Sequence, residues 1–163
     1  MEGSERLTIY DACRRGDETR VNEYVGNGGC VTDYDSHRMT LLHHAAFSGN
    51  IRVVELILSA QEKGQKIDID ALDADGWTPL HYAADRGFVA VVEKLVEEGA
   101  NVNCRDQMRR TPLHLAAGRG QVDVVKRLLK VGASCAMKNA AGQTPLQCAV
   151  TNNHAETASV LQQ

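Results

Sequence analysis

The sequence predicts an all-α solenoid of stacked helix pairs, and three observations carry that prediction. The stretch Asp73-Ala74-Asp75-Gly76-Trp77-Thr78-Pro79-Leu80-His81-Tyr82-Ala83-Ala84-Asp85-Arg86-Gly87 recurs with variations along the chain. Its capping threonine returns at Thr111 and Thr144, a spacing of 33 residues each time. Aromatic residues are only 4% of a chain that is 43% hydrophobic, which suits thin layers of Ala, Leu and Val better than one central core.

The recurring unit follows from local chemistry. Thr78 is a good N-cap, and Pro79 at the first helical position gives up only a donor that had no partner. Ala83 and Ala84 let a neighbouring helix approach closely, and Gly87 ends the helix where a positive φ is cheap. A helix of about two turns is unstable alone, so each unit must pack on the next.

In chain order, Leu7 to Gly16 keeps the apolar spacing Ile9, Ala12, Cys13 and the terminal glycine but lacks Thr-Pro and His. Polar Arg14, Arg15, Asp17 and Glu18 follow, so it reads as a cap with one face in water, its degraded start being Leu7. The second unit carries Thr40-Leu41-Leu42-His43-His44-Ala45-Ala46, with Leu41 where Pro would stand. Thr40 lies 38 residues before Thr78; the five extra residues fall near 61–65, as either an extended helix end or a mobile loop. In the third and fourth units Val92, Leu95, Val96 and Val125, Leu128, Leu129 form the apolar stripe of a second helix. Gly99 and Gly132 take the position after it. The last unit has Gln147 in place of His and Asn153 in place of Gly, and ends in a polar-faced helix through Val160 and Leu161. Asn tolerates the left-handed conformation, so the stop survives.

A 33-residue period built on Thr-Pro-Leu-His-x-Ala resembles the ankyrin repeat, over nearly the whole chain. Five units follow, at about 3–35, 36–73, 74–106, 107–139 and 140–163. The resemblance implies one domain of helix-turn-helix pairs with projecting hairpin-like loops. Arg38 and Arg109 replace the loop glycines Gly76 and Gly142, so those two tips are expected to bend differently.

The formal charge is −3 and the pI about 6.1, so no general cationic field exists for nucleic acid or anionic lipid. Five widely spaced cysteines without a C-x-x-C pair read as free thiols in a reducing compartment, with no metal site or cofactor. No apolar run approaches a membrane span and the first residues are unlike a signal peptide, so a cytosolic or nuclear protein is expected. His43, His81 and His114 stand at repeat spacing and are expected to bond within their own turn or to the adjoining loop. Neither His44 nor His154 is seen to lie near a carboxylate and nucleophile arranged as a triad, and no enzyme signature is found.

The resemblance implies that loop tips and first helices form a concave face that binds another protein. Mapped residue by residue, this face carries His37, Met39, Phe47, Asp75, Trp77, Asp85, Arg86, Met108, Arg110 and Arg119. Trp77, Arg86, Arg110 and Arg119 are the expected anchors, since Trp and Arg dominate interface hot spots. Asn103, with Leu95 eight residues upstream, resembles repeat asparagines modified by an asparaginyl hydroxylase, although it more simply fixes its loop through backbone contacts. The expected function is a monomeric, non-enzymatic adaptor, scaffold or stoichiometric inhibitor. The alternative is the ankyrin portion of a larger regulatory protein or enzyme; the polar caps and Met1 favour the former.

Overall fold

A computed structural model describes residues 8–163, so the expected start at residue 3 and the position of Leu7 lie outside the described residues. The described chain forms ten α-helices in five pairs: α1 (Ile9–Arg15) and α2 (Glu18–Gly26), α3 (Leu41–Ser48) and α4 (Ile51–Leu58), α5 (Pro79–Arg86) and α6 (Val89–Glu97), α7 (Pro112–Arg119) and α8 (Val122–Lys130), α9 (Pro145–Thr151) and α10 (Ala155–Leu161). The first helices pack in sequence through small pairs, Ala45 with Ala46, Ala83 with Ala84 and Ala116 with Ala117, none of them exposed. The second helices form the outer layer. Their buried stripe is Val91, Val92, Leu95 and Val124, Val125, Leu128, whereas Val96 and Leu129 are only partly buried. The core is therefore a series of thin interfaces, and truncating one fully buried leucine such as Leu80 to Ala removes about 2–5 kcal/mol.

The first unit starts differently from the expectation. Thr8 caps α1, and Asp11 closes the box by accepting the Thr8 N–H at 2.9 Å, so a Thr and an acid do here what Thr and His do later. The extra residues of the second unit form a 3₁₀ extension, Ser59–Lys63, rather than a free loop. It ties back to the first unit: Lys63 Nζ donates to the Val25 carbonyl at 2.9 Å, and the Gln65 amide donates to the Gly29 carbonyl and accepts from the Val31 N–H, both at 2.9 Å.

Among the described residues there is no strand; the projecting loops are hydrogen-bonded turns. In the third unit the Asp73 N–H donates to the Trp77 carbonyl at 3.0 Å, and Asp35/Met39, Asp106/Arg110 and Asn139/Gln143 repeat the bond. One Asp73 carboxylate oxygen accepts the N–H groups of Asp75 and Trp77 at 2.9 and 2.8 Å. Neighbouring tips are joined by Ala74 N–H to His37, Gln107 N–H to Asp75 and Ala140 N–H to Met108 carbonyls. Arg38 and Arg109 have φ of 60° and 57°, close to the 77° of Gly76 and Gly142, so all four tips bend alike. The tip hydrogen bonds hold the two arginines in a left-handed conformation that favours glycine. Asn153 also takes it, with φ of 61°, as expected.

What couples the second to the fifth pairs is the histidine in the three middle boxes. The N–H of Thr40, Thr78 and Thr111 donates to Nδ1 of His43, His81 and His114 at 3.1, 3.0 and 3.1 Å. Nδ1 is thus an acceptor, and the ring proton sits on Nε2. That Nε2–H donates to a carbonyl of the next unit: His43 to Trp77 at 2.9 Å, His81 to Arg110 at 3.1 Å and His114 to Gln143 at 3.0 Å. Gln147 closes the last box alone, accepting the Thr144 N–H at 2.8 Å. Burial holds the pKa of all three histidines below the ordinary value, mainly by desolvating the charged form.

Two expectations follow. Because the folded pKa values are depressed, stability is complete above about pH 6.5 and is lost as pH falls from there through the folded values. Urea unfolding of His81→Gln, which keeps a box of the Gln147 type, is expected to show about a third less of this acid-side slope and a loss of about 1–2 kcal/mol at neutral pH from the missing inter-unit bond. At the tips, Arg38→Gly and Arg109→Gly are each expected to raise stability by about 0.5–1 kcal/mol, read as a shifted urea midpoint at unchanged slope.

Candidate partner-binding face

The tips and the C-terminal halves of α1, α3, α5, α7 and α9 share one side of the solenoid. At its centre stand three aromatic rings. Trp77 lies with its centroid 4.8 Å from Tyr82, and Phe47 meets Tyr82 edge-on at 6.1 Å. The Tyr82 hydroxyl donates to the second oxygen of Asp73 at 2.6 Å, so one buried carboxylate holds both the Trp77 backbone and the Tyr82 ring. Burial, reinforced by that carboxylate, pushes the Tyr82 pKa up. The Phe47 ring is flanked by the guanidiniums of Arg86 and Arg14, 4.2 and 4.6 Å from its centroid.

Two of the expected anchors are engaged within the chain. Arg110 lies 5.6 Å from the Trp77 centroid and pairs with buried Asp106 at 2.8 Å through both Nε and a terminal nitrogen. Arg119 donates from Nε to Asp85 at 2.9 Å, bridging α7 to α5. A cleft of about 410 Å³ opens between Trp77, Arg110, Asp85, Arg119, Gln143 and Asn152. A second, of about 390 Å³, is lined by Asp75, Trp77, Tyr82, Met108 and Arg110. Met108 is 57% exposed at its mouth. The structure thus gathers Phe47, Trp77, Arg86, Met108, Arg110, Asp75, Asp85 and Arg119 around the two clefts and the ring cluster. His37, exposed, and Met39, half-buried, line neither cleft and belong to the neighbouring tip.

Tyr82, Arg14, Asp35 and Asp106 were not singled out for this face in the sequence. Tyr82 occupies the position after the repeat histidine, and in the second unit the residue at that position bonds to the tip acid as well, whereas Leu115 of the fourth has no group to do so. His44 is its counterpart: Nε2 is 2.8 Å from Asp35 Oδ2, so His44 does have a carboxylate partner, which the sequence reading did not identify. Cys148 is a third counterpart, 3.7 Å from the Asn139 amide nitrogen. Each of these is a tip brace. His154, at the start of α10, pairs its Nε2 with the Gly118 carbonyl at 3.1 Å.

Asn103 is half-buried, and its side-chain oxygen accepts the Ser134 N–H of the next unit at 2.9 Å. Asp70, 33 residues earlier, accepts the Asn101 N–H at 3.0 Å in the same way. Asn103 therefore belongs to a second inter-unit ladder. All five cysteines are free, and burial pushes Cys13 up to about 12 and Cys104 to about 11, which keeps both protonated at neutral pH. Among the described residues no cluster of His, Cys, Asp and Glu is arranged to hold a metal ion, and no helix is long and apolar enough to cross a membrane.

A family model of ankyrin repeats, three copies long, matches residues 9–106 and 89–163. Similar proteins include Palmitoyltransferase AKR1 of Lachancea kluyveri, 34% identical over 99 residues that are 58% of this chain and 13% of that protein. Diacylglycerol kinase zeta of Rattus norvegicus is 33% identical over 61% of this chain and 10% of its own length. Transient receptor potential cation channel subfamily A member 1 of Drosophila melanogaster is 30% identical over 64% of this chain and 9% of its own length. The chain thus spans about a tenth of the length of these relatives. With five capped helix pairs, inter-unit histidine bonds and a family model that covers all but its first few residues, the chain belongs to the ankyrin-repeat family.

Proposed function

We propose that this chain is a non-enzymatic adaptor, scaffold or stoichiometric inhibitor that binds a partner protein through its concave face, as a monomer. Ankyrin repeats are protein-interaction modules, and the finer assignment rests on one observation: the Phe47–Tyr82–Trp77 cluster is held in place by Asp73 and flanked by arginines, yet only partly covered by the solenoid. Preordered aromatics and arginines beside a cleft suit a binding hot spot, because little side-chain entropy remains to be lost on contact. A second reading has the chain as the interaction portion of a larger regulatory protein. It is favoured by the relatives, in which the matched repeats are about a tenth of the protein. The same face serves in both.

Affinity capture from native extract with the wild type and a Trp77→Ala/Arg86→Ala variant tests the proposal, with urea unfolding confirming that the variant is folded. A partner held by this face is expected to bind the variant about 30-fold or more weakly, the equivalent of one strong hot spot. Equal capture by both at unchanged stability would remove the concave face from the reading.

A further inference from the structure

The charge on the chain is sorted by side. Among the described residues every glutamate lies on a second helix, its C-cap or the 59–63 extension, and none lies on a first helix or a tip. The cations of the first helices and of the tips 35–39, 73–77, 106–110 and 139–143 are all arginine, the nearest lysine being Lys138 just before the last tip. Of the six aspartates there, Asp85 pairs with Arg119 and Asp106 with Arg110, Asp73 and Asp35 accept tip N–H groups together with Tyr82 and His44 and keep their charge, and Asp11 closes the α1 box. Asp75 is left exposed. Against it stand Arg14, Arg38, Arg86 and Arg109, all exposed and none in an ion pair. Seven arginines thus stand against six aspartates on the first helices and tips, so this side is slightly positive on a chain whose net charge is −3.

We infer that the occupant of this face is an acidic segment of a partner protein; the inference rests on the concave-face reading above and adds the partner's chemistry. Its carboxylates pair with Arg14 and Arg86 around Phe47, and an apolar side chain enters the cleft between Trp77, Tyr82 and Met108. Guanidinium suits this role: it is weakly hydrated, binds carboxylate through two parallel bonds, and stacks on rings. The Phe47 ring already orders two guanidiniums at 4.2 and 4.6 Å, so pairing them with carboxylates costs less side-chain entropy than ordering free lysines. A protein is favoured over a nucleic acid because the arginines border an apolar cleft on a chain of net charge −3, which spaced carboxylates and an apolar side chain fill better than a continuous phosphate backbone.

The test is selection from a phage-displayed library of random dodecapeptides on the folded wild-type chain, counter-selected on Trp77→Ala so that only ligands of this face survive. Recovered peptides are labelled with fluorescein and titrated by anisotropy at low and high salt, and every variant is checked by urea unfolding. The expected ligands are rich in Asp and Glu, weaken about tenfold or more in Arg14→Gln/Arg86→Gln and at high salt, and are unchanged in the outer-face variant Lys126→Gln/Lys130→Gln. Neutral or basic ligands, or acidic ones indifferent to the inner arginines, would overturn the acidic partner while leaving the concave-face reading standing. Recovery of no ligand that distinguishes wild type from Trp77→Ala would overturn both. Tighter binding of a labelled oligothymidylate than of the acidic peptides would also overturn the inference, in favour of nucleic acid.

Discussion

Each helix pair in this chain is too short and too thin to stand alone, and the structure depends on one bond that passes from pair to pair. A neutral histidine accepts a backbone N–H inside its own cap and donates to a backbone carbonyl of the next tip. The carbonyls it reaches belong to Trp77, Arg110 and Gln143, the residues immediately before the next capping threonine. The same imidazole thus ends one unit's orphan donor and positions the next unit's helix start. Replacement by lysine or arginine would lose the acceptor, and replacement by glutamine keeps the box but loses the reach. Van der Waals packing of the alanine pairs and the outer valine-leucine stripe supplies the area; the histidines supply the register.

That register is what builds the proposed binding face. Because Trp77 is fixed through its carbonyl by His43 and through its N–H by Asp73, its ring is presented at a set distance from Tyr82 and Arg110. Arg86, Arg14 and Phe47 come from three different units and meet only because the first helices stack closely. The face is thus a product of the repeat spacing, although no residue of the repeat pattern itself need touch a partner. In the same way Asp106 and Asp85 draw Arg110 and Arg119 inward, leaving Arg14, Arg38, Arg86 and Arg109 as the available cations.

Much of this was legible in the sequence, and what was not has a common cause. The caps, the helix ends, the inward alanines and the bonding of the repeat histidines within their own turn follow from local rules read at a fixed period, whereas their reach to the next unit's carbonyl came only with the structure. The tips were misjudged at Arg38 and Arg109, because local propensity favours glycine there while the tip ladder imposes φ near 60° regardless. The start of α1 slipped by one residue because Asp11 can close a box in place of His. Tyr82 and Arg14 escaped notice because their importance depends on which side chains lie one unit away. Arg110 and Arg119 looked free for a partner for the same reason: their acids are four residues away across the tip in one case and 34 residues away on another helix in the other.

The central claim concerns where the histidine protons sit, and it can be measured directly. Nitrogen-15 NMR of the imidazoles at neutral pH reports the tautomer of His43, His81 and His114 separately. All three should be neutral with the proton on Nε2 and Nδ1 unprotonated. Finding any of them in the Nδ1–H form, or protonated on both nitrogens at neutral pH, would contradict the account, since the threonine N–H would then have no acceptor and the bond that passes from unit to unit would not exist in the form described.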